Sequence, residues 1–342
     1  MYKSYRLNFK KPSRTSREIL TQKETFLLVF NDVIHKDSKF IGEAALFRGL
    51  SADDVPGYEE KLKSVCENFD FQNLDWWEDL REFPSIQFGL EQVIKAKKTY
   101  QDKKFSDEFN PLLFESEFTE GKKGIPINGL IWMGNPDFMK VQIKEKLAQN
   151  FRCIKLKIGV NWEEEKLILK NLRNEFSEND LELRVDANGA FNFYQAQIVL
   201  QELADLKIHS IEQPIKAGQI QEMAELCQTT PTPIALDEEL IGIFQKNDKQ
   251  KLIEIIQPQY IILKPSLVGG WRGSEEWIEI AENFNVGWWI TSALESNIGL
   301  NAIAQWTFTL NNPLPQGLGT GGLFTNNFNS RLKVVGDQLF FL

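Results

Sequence analysis

Histidine is nearly absent from this chain: there are two in 342 residues, His35 and His209. Imidazole zinc sites, Ser-His-Asp triads and Cys-His pairs need histidine in specific settings. Neither residue has one, since His35 falls in the polar turn NDVIHKDSK and His209 opens a predicted strand, on its outer side. Acid–base chemistry is therefore left to lysines and carboxylates. Cysteine is also scarce. Cys66, Cys153 and Cys227 are scattered and odd in number, which argues against a disulfide framework and for a reducing cytoplasm. Positive charge is in deficit, and a net charge of −9 offers no attraction to nucleic acid or to an anionic membrane surface. No apolar run approaches the roughly 20 residues that a membrane span needs, and the opening MYKSYRLNFKKPSRTSREIL has no apolar signal core. No GxGxxG or GxxxxGK[ST] occurs, so nucleotide binding has no motif behind it. A cytoplasmic protein acting on a small molecule is the expectation.

What the chain does have is aromatic core material, with 25 Phe and 9 Trp, and two different rhythms. Residues 1–120 read as an α+β unit. Strands are predicted near Tyr5–Phe9, Thr25–Phe30 and Lys39–Ala45, and helices at about Tyr58–Asn68 and Ser85–Thr99, with a polar connection from Gln101 to Gly124. From Ile125 short apolar strands alternate with amphipathic helices. The strands are IPINGLI, CIKLKIG, LELRVD, IHSIEQP, TPIALDEE, YIILKP, VGWWITSALES and PLPQGLGT. Eight strand candidates between helices predict a TIM-like (β/α)7β barrel over residues 121–322, in preference to an open doubly wound sheet. Residues 323–342, which alternate like a strand from Leu332, are expected to return to the N-terminal unit.

Parity along the strands divides their faces. Ile154, Leu156, Leu183, Val185, Ile211, Ile234, Leu236, Ile261 and Leu263 form the bulky aliphatic set that helices cover. The opposite set points into the barrel, and its last members on five consecutive strands are Lys157, Asp186, Glu212, Asp237 and Lys264. They lie 29, 26, 25 and 27 residues apart, one βα unit each, at the C-terminal strand ends where barrel active sites are built. One strand-end Asp is ordinarily a turn or capping residue, and one inward Lys ordinarily pairs or snorkels. Five in series are hard to produce by accident. Cys153, deeper on the same face, reads as core filling.

Three carboxylates on adjacent strands cannot share one space unpaired. A hard divalent cation with oxygen ligands resolves the conflict, so Mg²⁺ is expected on Asp186, Glu212 and Asp237, with Mn²⁺ as a substitute. Lys157 and Lys264, four strands apart in a ring of eight, would face each other across it. Such a metal can bind a substrate carboxylate and stabilise the enediolate left when the α-proton is removed. Lys155 has two readings: its charge can lower the pKa of Lys157, or it contacts the substrate carboxylate or a metal ligand.

These residues resemble the enolase superfamily, which the use of a lysine base with Mg²⁺ characterises. KxK at Lys155–Lys157, DxN at Asp186–Asn188, EQP at Glu212–Pro214, DE at Asp237–Glu238 and KP at Lys264–Pro265 look like its muconate-lactonizing-enzyme subgroup. KFIGEAA and PSIQFGLEQVI look like the subgroup's N-terminal capping domain, which closes over the barrel mouth. ITSALESNIGLNAIAQW and GLGTGGLFTNNF look like the members that dehydrate 2-succinyl-6-hydroxycyclohexa-2,4-diene-1-carboxylate to 2-succinylbenzoate in menaquinone biosynthesis. The resemblance implies Mg²⁺ on Asp186, Glu212 and Asp237, proton abstraction by Lys157, and a cationic Lys264 beside the intermediate. It implies supporting roles for Lys155, Asn188, Glu238 and Arg184, the last either behind the metal or closing the pocket. Ser292 and the Gly317–Gly322 backbone, Gly319 included, would meet the substrate's carboxylates. N-acylamino acid racemases and dipeptide epimerases of the same subgroup are the alternative. The DxD that dipeptide epimerases resemble one another in is GLGTGG here, which weighs against a dipeptide substrate. A noncatalytic binding barrel is the third reading, and five clustered charges at an idle site weigh against that one.

Overall fold

Alternating strands need a second layer to cover their apolar face, and both rhythms in this chain obtain one. The computed structural model describes residues 1–15, 18–31, 39–103 and 107–342, with the backbone alone at 101–103. His35 lies outside the described residues. The strands Tyr2–Arg14, Ile19–Asn31 and Lys39–Ala44 form an antiparallel sheet in chain order. The helix Pro84–Lys103 packs across this sheet at a glycine contact. A Cβ on Gly42 would lie 1.9 Å from the Gly89 carbonyl oxygen, so only glycine permits that approach. The single-turn helix Trp76–Asp79 has no periodicity to betray it; Trp77 Nε1 fastens it to the Gly269 carbonyl at 3.2 Å.

Seven parallel strands follow, in chain order: Gly129–Ile131, Cys153–Lys157, Glu182–Asp186, Ser210–Glu212, Ile234–Leu236, Tyr260–Leu263 and Gly287–Ile290. Two residues close the ring. Gln316 N donates to the Pro126 carbonyl (2.8 Å) and Asn128 N to the Gln316 carbonyl (3.0 Å); Gly317 N donates to the Ile290 carbonyl (2.8 Å) and Ser292 N to the Gly317 carbonyl (3.0 Å). The architecture is thus a TIM-like (β/α)7β barrel with an N-terminal cap. The eighth strand is shorter than PLPQGLGT suggested, because Pro313 and Pro315 have no N–H for a ladder. Among the described residues no helix is long and apolar enough to cross a membrane.

The two strand faces separate as parity requires. The aliphatic set joins the large core shared with the helices, while Ala235, Ile262 and Trp289 form a distinct cluster with Tyr260 and Leu314. His209 is a correction. Its ring is not on the outer side but packs on Tyr260 and Trp289, with centroids 5.2 and 6.4 Å away. It precedes the paired residues Ser210–Glu212, so strand parity does not govern it.

The C-terminal residues split between two neighbours. Leu332–Val335 and Gln338–Phe341 form a hairpin whose second strand pairs with Ile125–Pro126, not with the N-terminal sheet. The residues before it reach that sheet: Thr325 N donates to the Asn8 carbonyl (2.9 Å) and Tyr5 OH to the Asn326 carbonyl (2.6 Å).

Two cap carboxyl groups, Glu43 buried and Glu91 half-buried, hold the cap to the barrel at helix N-termini, where free N–H groups need acceptors. Glu91 accepts from the backbone of Trp271 and Arg272, at the start of the helix Gly270–Asn283. Glu43, fully buried, accepts from Ser296 N (2.8 Å), Ser296 Oγ (2.6 Å), Gly299 N (2.8 Å) and Thr25 Oγ1 (2.7 Å) at the helix Asn297–Thr309. Glu43→Ala leaves four donors unsatisfied and is expected to cost about 3–5 kcal/mol in chemical denaturation. Glu43→Gln keeps an acceptor oxygen and should lose clearly less.

Candidate active site

Parallel pairing sets the level of each strand end. Lys157 pairs with Asp186, and Asp186 with Glu212. Glu212 pairs with Ala235, so Asp237 stands one pleat further along, the stagger that closure of a barrel imposes. All three acids are buried, at 1, 2 and 3 % exposure for Asp186, Glu212 and Asp237. Lysine ammoniums interleave them. Lys155 Nζ contacts Asp186 Oδ2 at 3.0 Å and lies closer still to Glu212 Oε2. Lys157 Nζ donates to Asp186 Oδ2 (2.6 Å) and Asn188 Oδ1 (2.8 Å). Lys264 Nζ is bonded to Asp237 Oδ2 and lies 3.7 Å from Glu212 Oε1. Asn188 completes the link by donating Nδ2 to Glu238 Oε1 at 3.0 Å. Eight of the predicted site residues therefore meet here, and Lys155 is seen in contact with two of the acids.

The charges divide unevenly. Burial alone would raise the Asp186 carboxyl, but Lys155, Lys157 and Lys264 outweigh it and hold it well below the usual carboxylate range. Burial would lower Lys264, and the carboxylates of Asp237 and Glu212 raise it instead. Glu212 is in the middle. Burial and the neighbouring Asp186 push it up to about 7 despite its lysine contacts.

Among the described residues no three acid, histidine or cysteine side chains stand as a ready metal-holding group, because ammoniums occupy the space between the acids. The donor chemistry nonetheless suits a hard divalent ion. All donors are carboxylate oxygens, and Glu212 Oε1 is buried without a hydrogen-bond partner.

Above the acids, Lys155, Lys157 and Lys264 line a pocket roofed by Leu20 and Phe47 of the cap. Thr291 also lines it, 27 residues beyond Lys264 and therefore the next inward strand end in the series. The threonine carries no charge, so a charge pattern passes over it, though the spacing points to it. Its Oγ1 is buried and has no hydrogen-bond partner. Leu20 and Phe47 had no local signal at all; only docking of the cap brings them here.

Three predicted residues have polar groups already bonded elsewhere. Ser292 lines the pocket, but its hydroxyl donates to Glu295 Oε2 (2.5 Å) and accepts from Leu294 N and Thr320 Oγ1. Gly317 also lines the pocket, with its N–H and carbonyl both spent on closing the barrel. Arg184 does not reach the pocket. One pleat below Asp186, it bonds Glu182 (2.6 Å) and the Pro315 carbonyl (3.0 Å) and stacks 4.2 Å from the Trp289 ring. Gly319 lines the pocket. Gly317 is small for a visible reason: an added Cβ would lie 2.5 Å from Thr291 Oγ1 and 2.8 Å from Cγ2. Gly317→Ala should destabilise the protein by about 1–3 kcal/mol. Thr291→Ala in the same chain should recover part of that loss, a coupling that a double-mutant denaturation cycle measures.

Comparison with known proteins finds relatives of this chain. Residues 139–334 match the family "Enolase C-terminal domain-like". The o-succinylbenzoate synthase of Desulfotalea psychrophila is 41% identical across 99% of this chain and 97% of its own length. The crystal structure of MenC from Desulfotalea psychrophila LSv54 superposes with a TM-score of 0.83 at 37% identity, covering 99% of this chain and 98% of that one. The N-succinylamino acid racemase of Thermus thermophilus is 33% identical over 46% of this chain and 40% of its own.

Proposed function

The chain belongs to the enolase superfamily through its enolase C-terminal domain-like barrel, and we propose that it dehydrates 2-succinyl-6-hydroxycyclohexa-2,4-diene-1-carboxylate to 2-succinylbenzoate, a step of menaquinone biosynthesis. The observation that carries this reading is the pair Lys157 and Lys264. They rise from strands four apart and line one pocket above three buried acids. Similarity to the Desulfotalea psychrophila synthase along nearly the whole of both chains supports the choice of substrate.

Asp186, Glu212 and Asp237 would hold Mg²⁺, or Mn²⁺ in its place. When bound, the ion supplies Lewis-acid stabilisation of negative charge on the substrate carboxylate. The chain's own residues do the rest. Lys157, as the neutral amine, takes the proton from the carbon bearing the carboxylate. The electron pair left there forms the ring double bond as the adjacent carbon–oxygen bond breaks. The same ammonium returns its proton to the departing hydroxyl, so one lysine on one face removes the elements of water. Lys264, held cationic by Asp237 and Glu212, stands on the other side and offsets the developing charge. Asn188 Oδ1 and Asp186 fix the aim of Lys157. Leu20 and Phe47 give the ring an apolar roof that excludes water.

The runner-up is racemisation of an N-acylamino acid, which the partial match to the Thermus thermophilus racemase favours. It uses the two lysines on opposite faces of one α-carbon.

The purified protein is expected to remove the diene absorbance only with Mg²⁺ or Mn²⁺ present. Lys157→Ala and Lys264→Ala should each lower kcat by roughly 10²–10⁴-fold while the protein stays folded. Absence of turnover by the unaltered enzyme, together with deuterium exchange into N-succinylamino acids from D₂O, would replace this reading with the racemase.

A further inference from the structure

Glu212 and Asp237 are joined through a residue that the chemistry above does not use. Gln213 follows Glu212, is fully buried, and holds φ at +41°, in the left-handed region. A side chain resists that region, and so does the position before Pro214, which favours extended backbone. Strain of this kind persists only where the surroundings fix it.

The fixing is complete on the side chain. Oε1 accepts from the backbone N–H of Asp237 (3.1 Å) and of Glu239 (3.2 Å). Nε2 donates to the Ile215 carbonyl (3.0 Å) and to Glu239 Oε2 (3.0 Å). An amide has two donors and two acceptor sites, and all four are used. The backbone reaches the flanking strands as well. Gln213 N donates to the Ala235 carbonyl (2.9 Å), and Gly189 N donates to the Gln213 carbonyl (2.7 Å). The segments that carry Asp186, Glu212 and Asp237 are therefore all hydrogen-bonded to one residue.

We propose that Gln213 is a positioning residue that sets the spacing of the three carboxylates and so the affinity of the site for a divalent cation. This rests on the reading of Asp186, Glu212 and Asp237 as the metal ligands. A core glutamine that merely stabilises the fold would, on replacement, lower the melting temperature and leave cation affinity in the folded protein unchanged. A positioning glutamine changes the affinity itself. Glu239 forms the other half of this contact. Its Oε1 is held by Gly218 N at 2.8 Å, so it presents a fixed carboxylate to the Gln213 amide. Exchanging the two groups keeps one amide and one carboxylate in contact.

The test is Mg²⁺ titration calorimetry on full-length protein, at a temperature where circular dichroism shows each variant folded. Gln213→Leu should weaken Mg²⁺ binding about 10–100-fold, as loss of a group orienting a metal ligand does. Gln213→Glu should weaken it similarly, because its carboxylate faces that of Glu239. The double variant Gln213→Glu with Glu239→Gln should regain part of the affinity, because the contact with residue 239 returns while the Ile215 carbonyl still faces an oxygen. Native-like Mg²⁺ affinity in Gln213→Leu, or no recovery in the double variant, overturns the proposal. Should Gln213→Leu not fold, the comparison of Gln213→Glu with the double variant decides. The ligand assignment fails separately, and takes the proposal with it, if Asp186→Asn, Glu212→Gln and Asp237→Asn leave Mg²⁺ binding intact.

Discussion

Interleaving of ammonium and carboxylate groups inside the barrel is the constraint from which the rest follows. Lys155, Lys157, Asp186, Glu212 and Asp237, at 1–8 % exposure, cannot rely on water, so each must find its counter-charge within the ring. Lys155 and Lys264 stand on either side of Glu212, Lys157 is held between Asp186 and Asn188, and Asn188 turns to Glu238. The geometry is only as good as the strand register, because a slip of one residue would turn every one of these groups into the helix-facing core. Helices covering the aliphatic face thus protect the chemistry on the other.

The cap obeys a related rule. It meets the barrel through Glu43 and Glu91, each set on a helix N-terminus that belongs to the barrel. Glu43 is satisfied there by backbone N–H and hydroxyl donors. The same docking brings Leu20 and Phe47 over the lysines. Closure of the pocket and stability of the domain contact are therefore one event, resting on buried groups that neither half of the chain can satisfy alone.

Barrel closure shows how local chemistry and long-range geometry share the work. Pro313 and Pro315 limit the eighth strand to Gln316 and Gly317, and these two residues bond both edges of the seven-stranded sheet. Gly317 must lack a side chain because Thr291 fills the space beside it. Arg184 reaches Pro315 from the third strand, so an inward arginine that could have been read as pocket-lining instead ties opposite parts of the ring together.

Much of this was legible from the chain itself. Periodicity of two within strands, helices between them and charges one βα unit apart identified the barrel, its inner face, and Lys155, Lys157, Asp186, Glu212, Asp237 and Lys264, because strand parity and repeat length are local properties that tertiary contacts do not rewrite. What the fold alone decided were matters of where polar groups spend their bonds. Ser292 and the Gly317 backbone lie in the expected place but are committed to Glu295 and to the barrel seam. His209 lies just before the paired residues of its strand, Thr291 carries no charge to be noticed, and the roof of the pocket comes from residues more than 100 positions away. Composition and spacing say which groups can face one another; only packing in three dimensions says which of them have already found a partner.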